Sequence, residues 1–254
     1  MHATATIARY TLLEAWRGGL PWLALGCIAA ALALAAFVSQ VAITEGLRLQ
    51  ASMAGALLRA CAVFLLAAHV VASITRDAND KGIELTLALP ISRPAWYLGK
   101  LLGFSVCGGL LSIAFALPLL LWAGPAELAA WALSLAVESA LVAAAGLFFA
   151  SALTQIVPAI AATAGLYLLA RAMAAIQAIA SGPLAEQTLT GKLARGSVDA
   201  VAYLLPRLDG VTRSDWLIYG TPAAIEYLQA ICAMLLYFAL LAAAGLFDFS
   251  RRNL

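Results

Sequence analysis

Thr75-Arg-Asp-Ala-Asn-Asp-Lys-Gly-Ile-Glu-Leu-Thr-Leu-Ala-Leu-Pro-Ile-Ser-Arg-Pro-Ala-Trp-Tyr-Leu-Gly-Lys100 is a compact charged block set between two long apolar runs, and its reading decides the fold. Asp77, Asn79 and Asp80 suit the start of a short helix, whose first N–H groups lack partners and whose dipole favours negative groups there. Pro90 ends that helix, because the residue before a proline is pushed out of the helical region. Ser92 then caps a second helix with Pro94 in its first turn, where a missing N–H costs little. The expected product is a short helix outside the membrane, joining two helices that cross it.

Outward from this block the chain is apolar. Of its 254 residues 64% are hydrophobic and 11% charged, against roughly 25% charged in a soluble domain. A helix needs about 20 apolar residues to cross the hydrocarbon core, and six such runs stand at roughly 20–43, 53–74, 96–122, 128–153, 156–178 and 223–247. The expected class is an all-α membrane protein with six transmembrane helices, a single domain over 1–254 with no room for a soluble catalytic unit. A polar turn at 44–50 joins the first two runs, and Gly124 with Pro125 turns the chain between the third and fourth.

Ahead of the first span, over about residues 4–18, Ala5, Ala8, Leu12, Ala15 and Trp16 share one side at helical spacing, while Thr6, Arg9 and Arg17 lie elsewhere. That pattern fits a helix lying in the membrane interface; the alternative is a leader that merely carries positive charge. The apolar run behind it is too long for a cleaved signal peptide and lacks a small-x-small cleavage site. A sizeable loop covers about residues 180–222. Within it Val198, Val201, Ala202 and Leu205 fall at helical spacing with Leu204 alongside, so part of it is expected on the outer membrane surface.

Basic residues orient such a chain. With the termini inside, Arg9, Arg17, Arg76, Lys81, Arg93, Lys100, Arg251 and Arg252 face Arg48, Arg59, Arg171, Lys192, Arg195, Arg207 and Arg213. The totals nearly cancel, but the short outer turns hold only Arg48, which favours cytoplasmic termini. Trp16, Trp22 and Trp96 are then expected at the inner interface, and Trp122, Trp131 and Trp216 at the outer one.

The run Asp80, Gly82, Glu84, Leu85, Leu87, Leu89, Pro90, Ser92, Arg93, Gly99 and Lys100 resembles the signature of permease subunits of ABC-2-type transporters. It departs from that signature at Ile83, where Thr is usual, and in an acidic pair spread over Asp77 and Asp80. The resemblance implies a cytoplasmic coupling helix within 75–100, with Asp80, Gly82, Glu84, Leu87, Pro90 and Arg93 docking on an ATP-binding cassette ATPase subunit. It also implies an interfacial N-terminal helix, a dimer with a like or identical permease, and ATP with Mg bound by the partner subunit and no cofactor by this chain. The expected place is a cell membrane, the bacterial inner membrane by that resemblance, crossed several times. Tyr203-Leu-Leu-Pro-Arg-Leu-Asp209 and Trp216-Leu-Ile-Tyr219-Gly220 are similar to the outer loop of the permeases grouped with multicopper-enzyme maturation; a solvated loop with aromatic anchors is the plainer reading.

Few residues suggest chemistry. Glu138 stands near the middle of the fourth span, where a charge costs about 2.5 to 3.5 kcal/mol on insertion scales. With Ser134 one turn before it, it is expected to face other helices, either lining a translocation path or proton site, or packing as a hydrogen-bonded group. Arg59 and Arg171 are placed to snorkel to the outer interface, and pair with Glu138 only if the helices cross suitably. His69 reads as a helix-to-helix hydrogen-bonding group. Gly99, Gly103 and Cys107 form a small-residue stripe for close packing, as a brace for the coupling helix.

Cys27, Cys61, Cys107 and Cys232 all lie in apolar runs and show no Cys-x-x-Cys spacing, which argues against disulfides and a metal site, and Met53, Met173 and Met234 show no ligand spacing either. The sequence has no Gly-x-x-x-x-Gly-Lys-[Ser/Thr], Gly-x-Ser-x-Gly or His-Glu-x-x-His motif, so an enzyme is not expected. A net charge of +2 without a basic stripe gives no ground for nucleic-acid binding. Besides the ATP-driven permease, two readings stay open: an ion-coupled secondary transporter working through Glu138, and a membrane assembly factor.

Overall fold

The computed structural model describes residues 2–41, 46–80, 91–182, 189–221 and 223–251. Gly82, Glu84, Leu87 and Pro90, and with them the expected coupling helix, lie outside the described residues. Among those described, every regular element is helical. They are α1 (His2–Arg17), α2 (Leu20–Val41), α3 (Gly46–Asn79), α4 (Arg93–Leu119), α5 (Pro125–Leu153), α6 (Ile156–Ala180), α7 (Leu189–Leu204), a 3-10 turn at Leu208–Gly210, α8 (Trp216–Tyr219) and α9 (Ala224–Arg251). Six of these, α2 to α6 and α9, are long and apolar enough to cross a membrane. The chain is therefore compatible with an all-α, multi-pass membrane protein.

Two helix boundaries differ from the sequence expectation. α3 begins at Gly46, inside the stretch expected as a turn, and continues to Asn79. Asp77 and Asn79 thus end a helix and do not start one. Hydropathy marks only the part of a helix that suits hydrocarbon, and polar turns at either end escape it. The expectation for Ser92 holds in position: it has extended backbone at the N-cap of α4, followed by proline in the first turn, although its hydroxyl makes no capping bond.

α5 is the central helix. Its apolar window is 61% buried, against 22% for α2 and 17% for α9, which mark the periphery. Small residues account for this place. Ala143, Ala144 and Ala145 are buried, and a Cβ on Gly146 would stand 3.2 Å from Val70 of α3. Between apolar helices in lipid, close approach of backbones supplies the attraction that expulsion of water supplies elsewhere. Beside it, Gly108 of α4 lies against Ser139 of α5 and Leu66 of α3, which leaves no space for a side chain there.

α1 packs along α4. Gly99 and Gly103 form the seat, where a Cβ would stand 2.8 Å from Ile7 and 2.7 Å from Thr11 respectively. The stripe expected to brace the coupling helix therefore receives α1. The face of α1 turned inward also differs from the expected one: Ala8, Thr11 and Ala15 are buried, while Trp16 is exposed and so is Ala5. Thr11 can face the core because its hydroxyl donates to the Ile7 carbonyl at 3.0 Å, which leaves its methyl against Gly103.

The tryptophans divide otherwise than a two-belt pattern expects. Trp16 and Trp22 are exposed, but Trp96, Trp131 and Trp216 are buried within the chain. Trp96 stacks on Phe249 with ring centroids 5.0 Å apart, and Trp216 meets Tyr227 edge-on at 5.6 Å. Trp122 donates its indole N–H to Gln50 at 2.8 Å, which joins the end of α4 to the start of α3.

Candidate functional site

Two polar clusters stand out, eighteen residues apart on α3 and so separated by about 27 Å at the helical rise. The first surrounds Glu138, which has no solvent exposure. Its Oε1 accepts a hydrogen bond from the Tyr167 hydroxyl at 2.9 Å and lies 3.6 Å from the Arg171 guanidinium. Tyr167 and Arg171 are four residues apart on α6 and so share a face, which is turned to α5.

Arg171 also donates to the carbonyls of Leu208, Val211 and Thr212, the second at 2.8 Å and the third at 3.3 Å. Arg59 of α3 donates to the Thr212 carbonyl at 2.8 Å. Two arginines from different helices thus hold one short run of backbone. Neither snorkels outward as the sequence suggested, because the carbonyls of residues 208–212 and the carboxylate of Glu138 supply a nearer set of acceptors.

That run belongs to the expected outer loop, and it is not spread on a surface. Leu205, Leu208, Val211, Thr212, Trp216 and Leu217 are buried. Leu217 sits over Gly55 of α3, where a Cβ would approach to 2.6 Å. Thr212 has φ +51°, a left-handed backbone that β-branched residues rarely adopt and that costs on the order of 1–3 kcal/mol. Its carbonyl is the one both arginines bind, which explains how the conformation persists. Preceding it, Ala202 of α7 is buried, while Val201 and Leu204 remain exposed; Gln177 of α6 donates to Asp199 of α7 at 3.0 Å. The helical spacing expected in this loop is real, but it faces α6.

Ser134 is buried yet donates to the Trp131 carbonyl of its own helix at 2.8 Å. Ser134 and Glu138 are both buried on α5, and no hydrogen bond joins their side chains. Meanwhile Glu138 Oε2, Thr212 Oγ1 and Arg59 Nε are buried and make no hydrogen bond of good geometry, although the Thr212 hydroxyl stands beside the Glu138 carboxylate. Buried polar atoms in this state are uncommon and costly. They make this the least satisfied place in the described bundle interior.

The second cluster lies where α1, α3, α4 and α9 meet. Lys100 Nζ is 2.7 Å from Asp77 and 3.5 Å from Glu14, and Ser73 donates to Glu14 at 2.9 Å. A carboxylate in the last turn of a helix opposes the dipole, and Lys100 compensates by standing beside Asp77. Arg93 donates to the Ser250 carbonyl at 3.2 Å, a cation on the end of α9, where the dipole favours one. Trp96 and Tyr97 both pack on Phe249, and Gly245 gives the Tyr97 ring its place. His69 makes no hydrogen bond through Nε2; its ring meets Phe104 edge-on at 5.9 Å.

Of the six residues assigned to coupling, Asp80 and Arg93 are described. They flank the 81–90 connection, with Asp80 N–H bonded to the Arg76 carbonyl at 2.9 Å. Glu14, Ser73 and the partnership of Asp77 with Lys100 were missed. A lone lysine opening a span and an acid closing another were the available signal. The arrangement can carry force: the two sides of the 81–90 connection are tied to each other and to both terminal helices. No group of three or more His, Cys, Asp and Glu side chains suited to a metal occurs among the described residues.

No protein-family model matches this chain, and the search of curated proteins yields no match.

Proposed function

We propose that this chain is the membrane permease subunit of an ABC-2-type transporter, moving its substrate by means of ATP hydrolysed on a separate ATPase subunit with Mg. The reading places it in a cell membrane with both termini cytoplasmic, paired with a second permease. The 80–100 signature is one support, and six helices of spanning length are another. The observation that carries most weight is the Glu14–Lys100–Asp77 cluster beside the 81–90 connection. A docking segment must transmit a push, and here Lys100 ties the two flanks together through Asp77 and to Glu14 of α1, while Trp96 stacks on Phe249 of α9.

In this mechanism the ATPase closes on ATP and presses the segment around Gly82 to Leu89. The displacement passes through Asp77 and Lys100 into α3 and α4. At the far end α3 carries Arg59, which releases or holds the 208–212 backbone. Export follows as the expected direction, with the buried loop as the outer gate.

The test is a pull-down of the tagged chain from mild detergent, comparing the native sequence with Glu84→Ala, Arg93→Ala and the double substitution. An ATPase subunit co-purifying with the native chain and reduced in the variants supports the reading. Absence of any ATPase from the native preparation overturns it. The fully buried carboxylate of Glu138 favours a second reading, an ion-coupled transporter. Transport that persists without ATP but is abolished by Glu138→Gln selects that one.

A further inference from the structure

A groove of about 360 Å3 runs between α1, α2 and α4, lined by Leu12, Trp16, Ala24, Ile28, Cys107 and Ala114. We propose that it binds an anionic phospholipid, with an acyl chain in the groove and the phosphate held by Arg9 and Arg17. This inference goes beyond the transport reading and does not depend on an ATPase.

Three observations point to that ligand. The lining is apolar throughout, and on α4 it extends from Cys107 to Ala114, seven residues or about 10 Å along the helix. The volume falls in the range of roughly 300–1,000 Å3 usual for small-molecule sites. A hydrocarbon chain is thin and flexible enough to follow such a slot.

The third observation is charge. Arg9, Leu12 and Trp16 are spaced to share one face of α1, so Arg9 stands one turn beyond the lining. Arg17 lies between Trp16 and Leu20, both of which line the groove, and so at its edge. Both arginines are exposed and make no ion pair or hydrogen bond among the described residues. The one acid of α1, Glu14, is already engaged by Lys100 and Ser73. The result is an apolar slot with one uncompensated cation beyond its Leu12 end and another beside the turn from α1 to α2, which matches an anionic headgroup joined to an acyl chain. Trp16, exposed beside them, supplies the amphipathic ring that favours headgroup depth.

The test uses the full chain in phosphatidylcholine vesicles containing either dibrominated phosphatidylglycerol or dibrominated phosphatidylcholine, whose bromines quench indole fluorescence. Subtracting the Trp16→Phe variant isolates Trp16 from the other tryptophans. The expected result is stronger quenching of Trp16 by the anionic lipid. Arg9→Gln and Arg17→Gln should each lower the apparent lipid affinity about fivefold, the usual effect of one basic residue at an anionic surface. Ala114→Phe, which fills the groove and leaves both arginines, should remove the anionic preference. Equal quenching by both lipids overturns the proposal, as does a preference that survives the double arginine substitution. Shielding of Trp16 from both lipids that grows with protein density also overturns it, and assigns the groove to a second copy.

Discussion

The two clusters of charge on α3 use the same side-chain chemistry in opposite settings. Around Glu138 a carboxylate is sealed from solvent, and its cation, Arg171, is shared with three backbone carbonyls. Around Lys100 the carboxylates of Asp77 and Glu14 are about a third exposed, and the pairs join helix ends to one another. Burial decides what each can do. A sealed pair resists separation because either partner alone would be stranded in a medium that solvates it poorly. Around a buried lysine whose carboxylates still meet water, the pair is held less tightly but stays joined. The first arrangement suits a latch on the 208–212 backbone and the second a tie that passes force beside the 81–90 connection.

The largest effect should come from breaking the latch. Arg171→Ala leaves Glu138 without its cation and frees the carbonyls of Leu208 and Val211, with Thr212 left to Arg59 alone, and should destabilise the chain by about 3–5 kcal/mol, read as a lowered midpoint of thermal unfolding in detergent. Replacing both members, Glu138→Gln with Arg171→Met, should recover much of that loss; equal damage from the double change would show that the carbonyl bonds matter more than the ion pair.

Next in size is the seat of α1. Gly103→Leu must push Thr11 and the Ala8 backbone away, at about 1–3 kcal/mol, with faster proteolysis within residues 2–17. An unchanged cleavage pattern would mean that α1 is held by Lys100 and not by close packing. Asp77→Asn should cost about 1 kcal/mol, between the values for exposed and buried pairs, and should raise hydrogen exchange at the end of α3 and, through α3 and Arg59, at Thr212. An unchanged Thr212 would mean that α3 does not join the two clusters mechanically. Smallest is Arg213→Ala, whose pair with Asp215 at 2.7 Å is about half exposed; a shift above about 0.5 kcal/mol would contradict the weakness of exposed pairs.

The sequence expectations failed at places that share a cause. Asp77 looked like a helix start because capping is a local rule, yet Lys100, on another helix, decided its role. Arg59 and Arg171 looked like snorkelling residues because their distance from the end of a span is all that a linear reading can weigh. The loop that attracts them was expected outside. Trp131 and Trp216 were read as interface markers by depth alone, and both pack inside.

By itself the sequence determined the helical class, the number of spanning-length helices, the charged connection between α3 and α4, and the need of Glu138 for a partner. Each of these follows from apolar run length or from the cost of one charge in hydrocarbon, quantities that add up along a chain. The tertiary structure alone decided that Arg171 is that partner, that residues 205–217 fold inward beneath two arginines, and that α1 occupies the glycine stripe of α4. Those outcomes depend on which helix faces are brought within a few ångströms of each other. In spans this uniformly apolar the hydrophobic pattern cannot select a face, so small residues and buried charges make the choice.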